Sequence, residues 1–261
     1  MVVPGASLEP SRDLVGSLSK GLAVLEILAR APTGLRLTEV AEAAGLTRAS
    51  ARRLLLTFVA EGWVRQQGRL FLLSPKLLTV ARTWLDGTPL WSYVEPILKD
   101  VSQSLGESCS AAVLQGEEVV YVARVAGSAI LTVSLEVGAR LPAHCTSMGR
   151  VLLSELDGSE LTRFLGQMTI SARTPKTITD PVTLAGRIAD ARRDGYAIVD
   201  EELELGLRSI AVPVRSRFGT IVASINVSTQ SARHSCDDMR ERFLPRLLNA
   251  AGRIEEYLAF R

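Results

Sequence analysis

The chain has 261 residues, 30 Lys/Arg against 28 Asp/Glu, a formal charge of +2, 47% hydrophobic and 22% charged residues. This is the composition of an ordinary soluble globular protein, and its bulk charge does not announce a nucleic-acid partner. Cys109, Cys145 and Cys236 are widely spaced with no Cys-x-x-Cys pair, which argues for a reducing compartment and against a disulfide framework or a structural zinc site. There is no 18-residue apolar run to span a membrane and no signal-peptide pattern in the first residues, so the expected location is the cytoplasm.

The length accommodates two domains, of about 75 and about 170 residues. Residues 1–75 carry nine Lys/Arg against six Asp/Glu, and residues 76–261 carry 21 against 22, a small basic bias toward the N-terminal part. Residues 1–16 read as a disordered tail. Ser17 or Ser19 is placed to cap a first helix whose apolar stripe is Leu18, Leu22, Leu25, Ile27 and Leu28, running to Pro32.

Leu37 to Arg69 is the most informative stretch. Apolar residues at 37, 40, 41 and 44 give a short helix; Gly45 supplies the turn and Leu46 plugs the corner. Thr47 offers an N-cap to a second helix, Arg48 to Ala60, with Ala51, Leu54, Leu55 and Phe58 on its core face. Gly62 ends it, and residues 63–72 read as two short strands turning near Gln67-Gly68. That order predicts a winged helix-turn-helix over residues 17–74, whose second helix docks in the major groove of double-stranded DNA. The candidate contacts are Thr47, Arg48, Ser50, Arg52 and Arg53 at the start of that helix, with Gln67 and Arg69 on the wing. A solvated basic face is the bland alternative for those arginines.

Ser74-Pro75 starts a further helix through Leu77, Leu78, Val80, Ala81, Trp84 and Leu85. Its apolar residues cover more than one face, so residues 75–88 are expected to link the domains and to contribute to dimerisation. Residues 89–261 form the second domain. A helix over 93–105 precedes a hairpin of 110–114 and 119–123, with Ile130 to Val137 as a third strand. Helices follow at 146–156, 158–168 and 180–194, then strands at 209–215 and 220–228 and a closing helix from Cys236 to Phe260. The pattern predicts an α+β fold with an antiparallel sheet.

Within that domain, Leu141 to Arg150 is a turn entering a helix, and a cap at Thr146 or Ser147 would leave the amides of 147–149 free to meet a carboxylate, although ordinary capping explains the same pattern. The acidic run Asp200 to Glu204 reads alone as a solvated loop. His144 beside Cys145 does not present a nucleophile and base to each other, and no nucleophile elbow, phosphate loop or His-Glu-x-x-His is present. The expectation is no catalytic residue, no metal site and no cofactor.

Taken together the chain resembles the IclR family of bacterial transcription regulators over residues 17–258. The matching stretches are Ser19 to Leu25, the helix-turn-helix and wing, Leu141-Pro142-Ala143 with Thr146 to Arg150, Gly206 to Pro213, and Asn226-Val227-Ser228. Thr47 to Thr57, Tyr121 to Val125 and Glu202-Leu203-Glu204 resemble the branch controlling aromatic-acid catabolism through the β-ketoadipate pathway. The resemblance implies a winged helix, a dimerising linker helix, and an α/β, GAF-like domain binding a small organic acid. It places the effector at the amides of Ser147 and Met148 and the side chains of Ser209, Asn226 and Ser228, with Ile130, Leu141 and Leu207 at the apolar wall. Val199 stands where glyoxylate-type members carry a polar acidic residue, which suits an aromatic or dicarboxylic ligand. The implied partners are a palindromic promoter site, the effector, and further copies of the chain as a dimer or dimer of dimers. Two rival readings stay open: an oligomeric DNA-binding protein without an effector, and an enzyme with an accessory DNA-binding domain.

Overall fold

The structure, a computed structural model, describes residues 15–80, 90–127 and 135–259. These fall in two compact units, one within residues 7–88 and the other within 89–261. In the first, α1 (Gly16–Ala29), β1 (Leu35–Arg36), α2 (Leu37–Ala43), α3 (Arg48–Ala60), β2 (Val64–Gln67) and β3 (Leu70–Leu73) follow in order, with the strands arranged β1-β3-β2. Val24, Leu28, Val40, Leu55, Val64 and Phe71 form the core.

The corner between α2 and α3 follows from local chemistry. Gly45 takes φ +61° at the end of α2, and Leu46 N–H turns back to the Ala41 carbonyl at 2.8 Å, a Schellman closure. Thr47 then caps α3, its Oγ1 accepting from Ser50 N at 3.2 Å. The wing turns tightly, with Gln67 paired to Leu70 across Gly68 and Arg69.

Three expectations here need correction. Neither Ser17 nor Ser19 caps α1; both lie inside it, and Val15 holds the N-cap position without a side-chain bond. Leu18 and Leu22 are 62% and 54% exposed, because α1 buries Gly21, Val24 and Leu28 instead. A Cβ added at Gly21 would meet Phe58 Cζ at 3.2 Å, so α1 sits on α3 at this small residue. Strand β1, pairing with β3 through Leu35 and Phe71, was not expected. Residues 76–80 are helical; the remainder of the expected linker, with Ala81, Trp84 and Leu85, lies outside the described residues, as do residues 1–14 of the expected tail, whose last residue, Gly16, instead opens α1.

The second unit contains α4 (Leu90–Leu105), β4 (Ser108–Gln115), β5 (Glu118–Val125), β6 (Arg140–Pro142), α5 (Ser147–Leu153), α6 (Gly158–Gln167), α7 (Pro181–Asp194), β7 (Ala197–Asp200), β8 (Leu207–Arg215) and β9 (Ile221–Gln230). It closes with α8 (Cys236–Asp238), a π turn (Met239–Phe243) and α9 (Leu244–Ala259). Pro245 lacks the N–H for an ordinary helical bond, and the preceding Leu244 N–H reaches Met239 O instead.

The six strands form one antiparallel sheet in the order β6-β5-β4-β9-β8-β7. Helices α5, α6 and α7 pack on one face, through Met148, Leu152, Leu161 and Leu184 against Ala112, Tyr121 and Ala211. Helices α4 and α9 pack together and against β4, β5, β8 and β9, with Tyr93 stacked on Tyr257 at 4.2 Å between centroids. Of the expected third strand, 130–134 lie outside the described residues and 135–137 are not in a strand. On the side of β5 away from β4, the strand paired with it is β6. Strand β7 on the far edge is an addition to the expected set. Among the described residues no helix is long and apolar enough to cross a membrane.

Candidate functional site

Strand alternation puts Ser209, Asn226 and Ser228 on one sheet face: Ser209 pairs with Ser228, and Asn226 lies two residues before Ser228 on β9. Above that face is a cavity of about 210 Å³. Ser147, Val199, Leu207, Ser209, Asn226 and Ser228 all line it. Leu141 does not; it packs half-buried against the core under α5 to α7. The Met148 side chain is buried in that same core, so only its backbone is available to a ligand. Ile130 lies outside the described residues. Sequence reasoning missed Tyr121, Arg124, Cys145, Thr146 and Glu204, which also line the cavity.

At its upper edge the cavity meets the start of α5. Thr146 caps the helix by accepting from Gly149 N at 3.2 Å, so that amide is satisfied. The expectation of three free amides therefore narrows to those of Ser147 and Met148, which have no acceptor within the helix. Gly149 allows this turn to press on the preceding loop, since a Cβ there would lie 2.1 Å from Ala143 O. Ser147 and Ser209 hydroxyls bond at 2.9 Å, joining helix to floor. Asn226 Nδ2 donates to Ser228 Oγ at 3.0 Å, while Asn226 Oδ1 is buried with no partner among the described residues. Burial raises the Tyr121 phenol to about 12 and the Cys145 thiol to about 11, so both are neutral at physiological pH.

The roof is the segment between β7 and β8, and here the solvated-loop expectation fails. Glu202 is 6% exposed and pairs with Arg150 of α5 at 2.6 Å, also accepting from Ile178 N at 3.2 Å. Glu201, at φ +59°, accepts from Gly206 N at 2.7 Å and Ser231 Oγ at 3.2 Å and pairs with Lys176. Those partners, Lys176 foremost, hold its carboxyl down at about 2. Arg208 pairs with Asp200 at 2.8 Å and donates to the carbonyls of Ser231 and His234. The acidic run thus ties three loops over the cavity.

His144 Nε2 lies 3.0 Å from Ser171 O, and Cys145 Sγ is directed to Pro142 O at 3.9 Å, so the imidazole and the thiol are engaged with different partners. Burial lowers the His144 pKa. Among the described residues no group of His, Cys, Asp and Glu could hold a metal ion.

In the other unit, Thr47, Arg48, Ser50, Arg52, Arg53, Gln67 and Arg69 are all exposed. Arg48 and Arg52 are one helical turn apart at the N-terminal end of α3, both open to solvent beside the buried Ala51 and Leu55. Thr47 and Ser50 hydroxyls bond to each other at 3.0 Å, which places Thr47 first as a cap.

A winged helix-turn-helix with an open basic helix face, joined in one chain to an α/β unit enclosing a polar cavity, defines a ligand-responsive transcriptional regulator. The sequence matches the IclR helix-turn-helix domain over residues 17–68 and the bacterial transcriptional regulator IclR C-terminal domain over residues 82–256, and the chain belongs to that family. It is 40% identical over 92% of its length to the Pca regulon regulatory protein of Pseudomonas putida, covering 82% of that protein. A solved structure from Rhodococcus sp. RHA1 has a TM-score of 0.80 at 42% identity, over 94% of this chain and 98% of that one. An IclR homolog from Microbacterium hydrocarbonoxydans, solved with 4-hydroxybenzoate, has a TM-score of 0.80 at 26% identity, over 93% and 98%.

Proposed function

We propose that the chain regulates an aromatic-catabolic operon by binding a small aromatic acid in the cavity over Ser209, Asn226 and Ser228. The observation that carries this reading is a buried cluster of small polar side chains beside two open helix amides, which would be costly without a ligand or water to meet it. The names of the relatives, a Pca regulon regulator and a 4-hydroxybenzoate complex, support an aromatic acid. The carboxylate docks on the amides of Ser147 and Met148, and Val199 and Leu207 flank the ring.

Arg48, Arg52 and Arg53 enter the major groove with Ser50 beside them, and Gln67 and Arg69 on the wing meet phosphate. Two copies bind a palindromic site in the cytoplasm, with residues 75–88 linking the domains and joining the copies. Catalysis has no part in this reading. The test is a thermal-shift series of the purified chain against benzoate and hydroxybenzoates. A ligand at 100 times its dissociation constant should stabilise by about 2.7 kcal/mol. Ser209→Ala and Asn226→Ala should weaken that response and leave ligand-free DNA binding unchanged; wild-type affinity in both would overturn the site.

A further inference from the structure

The segment that follows β9 is gripped from two sides. Toward the cavity, which Ser231 and Ala232 line, Ser231 Oγ donates to the Glu201 carboxylate at 3.2 Å and Ser231 N to Gly206 O at 2.8 Å. Arg208 of β8 donates to the carbonyls of Ser231 and His234. The second grip is a carboxylate that does not line the cavity. Glu107 is fully buried, and its Oε1 lies 2.8 Å from Arg233 Nη1 and 3.5 Å from His234 Nε2. Among the described residues, both of its ion-pair partners belong to this one segment. The His234 ring also packs edge-on against buried Phe243, at 5.0 Å between centroids.

The two ends of this contact are held differently. Glu107 is built into the fold: its carbonyl accepts from Ser102 Oγ of α4 at 2.7 Å, and the next residue, Ser108, begins β4 and pairs with Ser228. Ser108 Oγ accepts from Gly127 N at 3.0 Å, and a Cβ at Gly127 would lie 2.4 Å from Glu107 C, so the chain beyond β5 presses on this point. Residues 231–235 are in neither helix nor strand, and side chains supply much of what holds them.

A buried carboxylate gives up its hydration and is compensated only by charges placed against it. Glu107 therefore favours the arrangement in which Arg233 and His234 are docked, and that arrangement brings the Ser231 hydroxyl to Glu201 and the carbonyls of Ser231 and His234 to Arg208. We infer that Glu107 is a positioning residue of the effector site. From outside the cavity it fixes residues 231–234, and through them it sets how firmly the roof at 201–206 closes and how tightly an effector is held. Its effect on affinity rests on the effector reading above, whereas its hold on the segment does not.

The experiment is amide hydrogen exchange on the ligand-free full chain, comparing the wild type with Glu107→Gln, which keeps the size of the side chain and removes its charge. Protection at the bonded amides of Gly206, Ser231 and Arg233 should fall by at least about tenfold, with the β4–β9 ladder within about twofold of wild type. Arg233→Gln acts on the same contact from a side chain that is 42% exposed, so it leaves no gap in the core; it should loosen the same amides, and Arg233→Lys, which keeps the charge, should retain most of the protection. If Glu107→Gln does not fold, the two Arg233 variants decide alone. In calorimetry with 4-hydroxybenzoate, Glu107→Gln and Arg233→Gln should weaken binding by about 2–30-fold, the range for residues acting at a distance. Unchanged protection at 201–206 and 231–235 overturns the inference, and so does a loss spread evenly over the second unit, which a carboxylate that only stabilises the fold would give. Loosened amides with unchanged 4-hydroxybenzoate affinity overturn the effect on the site. Loosened amides with no 4-hydroxybenzoate binding even in the wild type count against the effector reading and leave the hold of Glu107 on the segment standing.

Discussion

Replacing Glu202 by Ala strands the guanidinium of Arg150. Arg150 is 3% exposed and Glu202 6% exposed, and their 2.6 Å contact is the principal charge compensation in that part of the core. Among the described residues the Arg150 side chain otherwise donates from Nε to the His144 carbonyl, at 3.3 Å. A buried pair broken on one side costs about 3–5 kcal/mol, because the remaining charge keeps its dehydration without the attraction that offset it. For a domain of this size each kcal/mol shifts Tm by roughly 2–4 °C, so the expected drop is ~6–20 °C. The carboxylate also holds Ile178 N, and its chain neighbour Leu203 lines the cavity, so effector affinity should fall with stability. Replacing both partners, Arg150→Met with Glu202→Leu, removes the charges together and should recover most of the loss. A thermodynamic cycle of the two single variants and the double variant, by urea unfolding, measures this coupling. A single-variant loss below about 1 kcal/mol, the value of an exposed pair, would refute the reasoning.

Three further outcomes follow from particular contacts. Gly149→Ala should destabilise the second unit by about 1–3 kcal/mol, since its Cβ would lie 2.1 Å from Ala143 O; an unchanged thermal midpoint would contradict that close approach. Arg48→Ala or Arg52→Ala should each lower operator affinity by ~1–3 kcal/mol if the residue reads a guanine edge, whereas Arg69→Ala should weaken all sequences alike; a gel-shift titration separates the cases. Because the Glu201 carboxyl is held at about 2, below the 4.5 of an unpaired glutamate, its stabilisation is full above the ordinary carboxylate range and lost as pH falls through 4.5 toward 2. Glu201→Gln should therefore flatten that limb of an acid-unfolding profile, and an unaltered limb would remove Glu201 as its source.

Elements fixed by neighbouring residues were legible in the sequence. The Gly45 corner, the Thr47 cap and the wing turn depend on a few adjacent residues, and α3 has the bounds expected of it. α1 was harder because Leu18 and Leu22 offer as good a stripe as Val24 and Leu28; only packing on α3 at Gly21 settles its rotation. Strand β7 has four residues and gains its identity from pairing with β8, so nothing local announces it. Glu202 looked solvated because its partner is 52 residues earlier in the chain. The floor of the cavity was reached through alternation and family resemblance. Arg124 and Glu204 were not, since no spacing rule brings β5 and the β7–β8 turn to one cavity.

The two halves of the cavity differ in how they are held, and this bears on how an effector could act. Its floor is backbone ladder: β9 pairs on one side with β4 and on the other with β8 along most of its length, so moving it breaks many bonds together. Its roof is held largely by side chains. The Glu201 carboxylate joins Gly206, Ser231 and Lys176, and the Arg208 guanidinium joins Asp200 to the chain at Ser231 and His234. Bonds of that kind exchange individually, and the backbone strain of Glu201 at φ +59° is relieved if they release. A ligand shifts an equilibrium only by its different affinity for the two states. An effector bound between a fixed floor and a separable roof meets its largest difference at the roof, because the floor offers the same groups in both states. For an effector bound as proposed, the response falls on residues 201–206 and 231–234, and the sheet supplies the constant half of the site.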